Sequence, residues 1–305
     1  MWLLFAFLSA FLMGFYDVAK KKALAKNSVI PVLFLNTFFS SMLFIPLIVL
    51  SYSGNISEDS IFYIQQYGIK EHLYILAKSG LVLTSWVFAY FGLKHLPITI
   101  VGPINATRPI WVLLGAIIFF GEKLSLFQWI GVIVAIVSFY LLSKSGKKEG
   151  INFGKNKWIL FVIFANIVGA FCGLYDKYLL AANVNGGIGL SILTLLSWYN
   201  IYQCLIMAVV FVVFYLFYRR KLLIFRWSWG ILLISIFLSC AEMSYFYSLS
   251  LDGAMISIVS MVRRSSVVVS FLLGAWLFRE KNLKAKAFDL LLVLISMVFL
   301  YIGSR

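Results

Sequence analysis

The sequence predicts an all-α polytopic membrane protein, with ten transmembrane helices arranged as two inverted five-helix repeats. Three observations carry this. The chain of 305 residues is 63% hydrophobic and only 12% charged, whereas a soluble domain carries about 25% charged residues. Its apolar runs reach the roughly 20 residues that a helix needs to cross a bilayer, and they do not alternate polar with apolar as barrel strands do. Finally, two phrases recur in register. Gly14-Phe15-Tyr16-Asp17 returns as Gly173-Leu174-Tyr175-Asp176, and Phe120-Gly121-Glu122-Lys123 returns as Phe278-Arg279-Glu280-Lys281. The spacing from Asp17 to Glu122 is 105 residues, and that from Asp176 to Glu280 is 104. Landmarks held in register over that length mark an internal duplication, and duplicated membrane units are the architecture of secondary transporters.

In the first half the spans fall at about 2–20, 30–50, 74–93, 97–120 and 125–143. The first is a retained helix and not a signal peptide: no basic residue precedes it, no small-residue cleavage site follows it, and it ends in Lys20-Lys21-Lys22. The second carries Asn36 and Ser40. A long loop at about 51–73, with Glu58, Asp59 and Glu71, has the Ile, Phe and Tyr spacing of a surface helix. The fourth span carries Asn105, Arg108 and Trp111 and ends in the Gly121-Glu122-Lys123 turn. A Lys- and Gly-bearing linker, 144–156, separates a first repeat (1–143) from a second (157–305).

The second half repeats the plan at about 157–180, 189–217, 229–250, 254–278 and 285–303. Gly169 and Gly173 give the sixth span a small-residue face suited to close helix approach. The seventh carries Asn200 and Gln203, the eighth a stripe of Ser235, Ser239 and Glu242, and the ninth Arg263 and Arg264. Polar groups at helical spacing in lipid either bond neighbouring helices or line a cavity. Trp2, Trp158, Trp227 and Trp229 suit interface belts, while Trp86, Trp111, Trp198 and Tyr199 lie deeper, available for core packing or for stacking on a ligand. Cys172, Cys204 and Cys240 sit in separate spans without metal-ligand spacing and read as apolar filler.

Charge sets the topology. Eighteen Lys and Arg residues fall on one side of the ten spans, among them Lys20, Lys21, Lys22, Lys144, Lys155, Arg226 and Lys286. Five fall on the other: Lys70, Lys78, Lys123, Lys177 and Arg305. The first side is therefore expected in the cytoplasm and both termini outside it. Five spans per half is an odd number, so a direct sequence repeat inserts with opposite orientation. The net charge of +15 would suggest nucleic acid for a soluble chain; here it sits at helix ends, and no nucleic-acid partner is implied.

The stretch from Arg108-Pro109-Ile110-Trp111 through Gly121-Glu122-Lys123-Leu124, followed by Gln128-Trp129-Ile130-Gly131, resembles the signature of EamA-type proteins of the drug/metabolite transporter superfamily. Gly14 followed by Lys20 and Lys21 is also similar to that family's first helix. The second half is a weaker copy, with Arg279 in place of the turn Gly and no match to Pro109. The resemblance implies a ten-helix fold that moves a small molecule by alternating access, with the substrate bound near the centre at the repeat interface. It does not select a substrate, since such proteins move amino acids, sugars, nucleotide derivatives, amines and drugs.

Charged residues at mid-membrane persist only against a partner or a wet cavity. Asp17, Asp176, Glu242, Arg108, Arg263 and Arg264 stand at such depths. Aligning the two Glu-Lys turns sets Asn105 opposite Arg263 and Arg108 opposite Ser266. Guanidinium forks suit carboxylates and phosphates, so the expected substrate site is Arg108, Arg263, Asn105, Glu242 and Trp111, in an electropositive cavity. Arg264 with Glu242 is the expected structural pair; Arg263 and Arg264 point about 100° apart, and which of them faces the cavity stays open. Asp17 with Tyr16 and Asp176 with Tyr175 are expected at the two mouths for gating or proton coupling. An intrahelical pair of Asp17 with Lys20 or Lys21 is the plainer alternative.

The function these residues imply is secondary transport of a small polar or anionic metabolite across the plasma membrane (the inner membrane of a bacterium), with the bilayer and the substrate as partners and a homodimer possible. A flippase of a phosphate-bearing lipid on the same fold is the alternative. A membrane enzyme ranks behind both: His72 and His95 stand apart, with no metal or nucleophile constellation. No phosphate-binding loop of the ATPase type occurs, and no cofactor is expected.

Overall fold

The computed structural model describes residues 2–108, 110–111, 125–147, 150–180, 187–217, 224–250, 259, 262–280 and 282–303. Among these, the first half forms α1 (Trp2–Leu24), α2 (Val29–Tyr52), α3 (Ile69–His95), α4 (Ile98–Ala106) and α5 (Leu126–Lys147). The second half forms α6 (Lys157–Leu180), α7 (Ile192–Phe217), α8 (Trp229–Ser250), α9 (Ser266–Phe278) and α10 (Leu283–Gly303). Among the described residues, seven helices (α1, α2, α3, α5, α6, α7 and α10) are long and apolar enough to cross a bilayer. The Glu122-Lys123 turn and Lys281 lie outside the described residues. The loop after α2 is not the surface helix its spacing suggested. It is irregular backbone, held by hydrogen bonds from Ile64 N to Ser51 Oγ at 3.1 Å and from Gln65 N to Thr194 Oγ1 at 2.9 Å.

The buried interior mixes apolar and polar side chains, and the outer flank is apolar. Asn36, Ser40, Asn166, Gln203 and Ser235 are buried, while Leu4, Phe7, Val209, Phe217 and Trp276 are exposed. Lipid solvates the apolar flank, and polar groups are kept inside, where they can find partners.

Helix pairing follows the duplication. The extensive contacts are α1 with α8, α3 with α6, α5 with α10, and α2 with α7. Exchanging the two halves converts the first of these pairings into the second and returns the other two to themselves. At one end of the bundle, Lys21 Nζ donates to the carbonyls of Leu93 at 2.6 Å and Leu96 at 2.5 Å, and His95 stacks on Trp158 at 3.6 Å. Thus α1 ends where α6 begins, and the two run in opposite directions. Ser28 N to Ile224 O at 2.9 Å brings the loop before α8 to that same end. At the other end, Ser248 donates to Trp2 O at 2.7 Å and Ser125 to Gly303 O at 3.0 Å. The basic loops therefore share one end of the molecule.

Gly14 of the first repeated phrase has a packing reason. A Cβ there would fall 2.5 Å from the side chain of Val269, so glycine is what lets α1 lie against α9.

Candidate functional site

The site begins with two helix breaks. At Thr107 the α4 segment turns: its Oγ1 donates to Ile104 O at 2.7 Å, and Ile110 N donates to Thr107 O at 2.9 Å. At Ser265, ahead of α9, Oγ donates to Val262 O at 2.6 Å, and Val268 N donates to Ser265 O at 2.9 Å. A hydroxyl bonded back to a carbonyl of its own turn competes with the helix ladder and bends it, and the tight turn follows. Thr107 and Ser265 are separated by the same number of residues as Glu122 and Glu280, so the two breaks are equivalent positions of the repeats.

Arginines flank both breaks. Arg108 follows the first, and its Nε donates to Asn166 Oδ1 at 3.2 Å. Asn166 is fully buried, and its amide donates to Asn105 Oδ1 at 3.1 Å and to Val162 O at 3.0 Å. Asn105 and Arg108 are thus joined through α6. The guanidinium lies over Gly169, where a Cβ would fall 2.7 Å from Arg108 Cζ, while Gly173 has open space around it. The small face of α6 therefore seats Arg108 in place of the close helix approach expected of both glycines. Trp111 follows, half-buried.

Glu242 finds its ion-pair partner in Arg263, at 3.8 Å, and not in Arg264. That reverses the expected structural pair, for the reason already given: neighbours on a helix point in different directions. Arg263 also lies 4.3 Å over the Tyr245 ring and 3.9 Å from Met13 Sδ. The other carboxylate oxygen of Glu242 accepts from the buried Tyr199 hydroxyl at 2.5 Å. Arg264 is half-buried, just ahead of the Ser265 break. Among the described residues, no carboxylate lies within ion-pair distance of Arg108 or Arg264.

The two repeated aspartates are each paired with lysine. Asp17 takes Lys20 at 2.7 Å, with that ammonium 4.2 Å over Tyr16 and 5.3 Å over Tyr90. Tyr16 and Tyr90 meet hydroxyl to hydroxyl at 3.4 Å. Asp176 takes Lys78 of α3 at 2.6 Å, and Lys78 stands 4.9 Å from the Tyr199 ring. The intrahelical reading of Asp17 is therefore present in the structure, yet Asp176 reaches an equivalent pair by another route. Tyr175 departs from its counterpart: its hydroxyl donates to Tyr74 O at 3.3 Å and its ring stacks on Tyr178. Asp17, Lys20, Asn105 and Ser270 line a niche with room for about one water molecule.

A further cluster closes the basic end. Glu280 accepts from Ile98 N at 2.8 Å, from Thr99 N at 3.1 Å, and from the Thr99 hydroxyl. Lys286 donates to Thr99 Oγ1 at 2.9 Å and lies 4.0 Å from Glu280. One carboxylate thus caps the start of α4 from the turn between α9 and α10. Lys286 is 0% exposed and Lys78 5% exposed, so neither is the loop charge that side-counting made of it.

Sequence reasoning missed Asn166, Lys78 and this cap. Asn166 carried a signal, as a lone amide three residues before Gly169 in an apolar helix. Thr99 carried one too: Ile98-Thr99-Ile100-Val101 returns as Ile256-Ser257-Ile258-Val259, a third phrase in register. Of the polar stripe on α8, Ser235 donates to Asn36 of α2 at 3.1 Å and so joins helices. Cys172 is buried, Cys204 half-buried and Cys240 exposed, all as free thiols. No group of three or more His, Cys, Asp or Glu side chains able to hold a metal occurs among the described residues.

Residues 1–144 match the EamA-like transporter family. An uncharacterized transporter of Archaeoglobus fulgidus is 25% identical over 147 residues, 48% of this chain and 49% of that protein. The match therefore spans about half the length of that curated relative. A crystal structure of a protein aligns over 100% of this chain and 98% of its own, with a TM-score of 0.62 at 13% identity. That likeness shows the fold.

Proposed function

We propose that the chain is an EamA-type secondary transporter that moves a small anionic metabolite across the plasma membrane by alternating access. The observation that carries this reading is that, among the described residues, Arg108 and Arg264 have no carboxylate within ion-pair distance, whereas Arg263 is paired with Glu242. Buried cations without counter-charges are costly in lipid, and an anionic substrate relieves that cost. Arg108 and Arg264 are the substrate-contacting residues in this account. Arg263, held by Glu242, Tyr245 and Met13, is a wall residue that keeps Glu242 in place.

The moving parts are residues 1–143 and 157–305, joined by the linker 144–156. The family match to residues 1–144 supports that division. The two breaks at Thr107 and Ser265 are the points at which the halves bend, and Asp17 and Asp176 with their lysines are the mouths. Counting charge puts the basic end in the cytoplasm and both termini outside.

The test is reconstitution. Wild-type protein in proteoliposomes is expected to give saturable uptake of at least one small organic anion, and cationic or neutral analogues are expected not to compete. Uptake that neutral analogues block as well as anions do would defeat the anion reading. One observation favours the lipid alternative: an apolar groove of about 220 Å³ between α2 and α7, lined by Pro31, Phe34, Leu35, Phe211 and Phe225. An acyl chain would fit such a groove, so lipid competition belongs in the same assay.

A further inference from the structure

We propose that the apolar groove between α2 and α7 holds an acyl chain of an anionic phospholipid, with the phosphate headgroup on Lys26 and Arg226. This is a resident lipid of the outer flank, apart from the central arginines and independent of what they carry. The groove, about 220 Å³, is lined by Pro31, Phe34, Leu35, Phe211 and Phe225, with no polar side chain among them. Phe34 of α2 and Phe211 of α7 stack at 5.1 Å, which joins its two walls. A clasp of the chain closes its basic end. Ser28 N donates to Ile224 O at 2.9 Å, and Arg226 N donates to Asn27 Oδ1 at 2.5 Å. Lys26 and Arg226 flank that second bond in adjoining segments, and both are exposed. Arg226 directly follows Phe225 of the groove wall, and Pro31 to Leu35 is one turn of α2, about 6 Å of rise. Charge and slot are therefore adjacent.

Charge selects the headgroup. The sequence has no Asp or Glu between Asp17 and Glu58, or between Asp176 and Glu242. All of α2 and α7, with the loops that meet at this end, are thus without acid. Among the described residues, Lys22, Lys26 and Arg226 enter no ion pair. A zwitterionic headgroup brings a further cation to this cluster, whereas an anionic one supplies the missing counter-charge, and basic pockets between helices are where such headgroups bind. The exposed Trp227 and Trp229 meet at 6.0 Å, and Trp227 lies 6.1 Å from Phe39 of α2. Indole rings favour the interface, so they set this stretch at headgroup depth. With no polar lining, the slot accepts a tail and leaves the headgroup at its mouth. A second copy of the chain is a poorer occupant: a stable interface draws on about 20–30 residues a side, and the groove presents five.

The experiment is native mass spectrometry of the purified full-length protein, equilibrated in detergent with equimolar phosphatidylglycerol and phosphatidylcholine of the same acyl chains. Wild type is expected to keep phosphatidylglycerol in preference to phosphatidylcholine by about tenfold or more, since each Lys or Arg near a membrane surface contributes a factor of about five. Lys26→Gln with Arg226→Gln should bring that preference close to unity. Lys147→Gln with Lys155→Gln removes the same charge from exposed positions about the linker and should leave the preference as in wild type. Leu35→Trp, which fills the slot, should weaken retention of both lipids. Phe225→Ala, which takes away one wall at an exposed loop position, should do the same without demanding any repacking of the bundle. Equal retention of the two lipids by wild type overturns the proposal. So does a preference that survives Lys26→Gln with Arg226→Gln, or one that the linker pair removes equally. Unchanged retention in both Leu35→Trp and Phe225→Ala takes the acyl chain out of the groove, and a dimer that Leu35→Trp dissociates gives the groove to a second copy; either result overturns the site. The transport reading stands in every one of these cases.

Discussion

Thr107 and Ser265 break their helices by the same device. Each hydroxyl donates to the carbonyl three residues back, to Ile104 at 2.7 Å and to Val262 at 2.6 Å, and each accepts at its own carbonyl from the amide three residues on. Two short hydroxyl residues at equivalent places in a duplicated chain make a matched pair of bends, with Arg108 just after one and Arg264 just before the other. The bends and the charges are one feature.

Thr107→Val and Ser265→Val remove the competing hydroxyl bond while nearly keeping volume, so both helices should straighten. The buried Cys172 offers a readout that needs no substrate. In a background with Cys204 and Cys240 replaced by Ser, alkylation of Cys172 by a small permeant maleimide reports opening of the interior. The double valine variant should slow that alkylation by about tenfold or more, as expected when a gating motion is lost. An unchanged rate counts against the hinge.

Gly169 and Gly173 predict a contrast. A methyl at Gly169 would collide with the Arg108 guanidinium at 2.7 Å, whereas one at Gly173 meets open space. Gly169→Ala should lower anion affinity about tenfold or more by displacing Arg108, since a misplacement near 1 Å can have that effect. Gly173→Ala should bind as wild type, and equal behaviour of the two variants is the adverse result.

Glu280 predicts a stability effect. Glu280→Ala would take from Lys286 the carboxylate 4.0 Å away and leave the start of α4 uncapped. Breaking such a pair on one side costs about 3–5 kcal/mol, visible as a lower melting temperature in detergent. Replacing Lys286 by Met in the same chain should recover a part of that loss, because the buried ammonium that Glu280 faced is gone. A double variant no more stable than Glu280→Ala would mean that the cap alone matters.

These residues also show where sequence reading reaches and where it stops. The span pattern and the repeat were legible because lipid imposes a composition and duplication leaves phrases in register. Arg108, Asn105 and Glu242 were legible as charges and amides at the wrong depth. Lys78 and Lys286 were not, since counting charges by side assigns a Lys near a helix end to the loop, although a long side chain can reach back into the bundle. The partner of Glu242 was not legible either. Arg263 and Arg264 differ only in direction around a helix, and the Thr107 and Ser265 bends that set that direction leave no periodic mark.

Topology is checked by fusion. A reporter active only in the cytoplasm, joined to the linker at 150, should be active, and the same reporter after Arg305 should be silent, because the basic loops share one end. Activity at Arg305 would put the termini inside.

The central claim is that interior guanidinium groups hold the substrate. Its most direct test is to record currents from proteoliposomes on a solid-supported membrane for a panel of methyl phosphate, malonate and glutamate, with melting temperatures from the same preparations. Wild type should give a saturable current with at least one anion. Arg108→Ala and Arg264→Ala should abolish that current with melting within about 4 °C of wild type, roughly the span of 1 kcal/mol for a chain this size. Arg263→Ala should instead lower the melting temperature, by unpairing Glu242. Wild-type currents from both Arg108→Ala and Arg264→Ala would contradict the account.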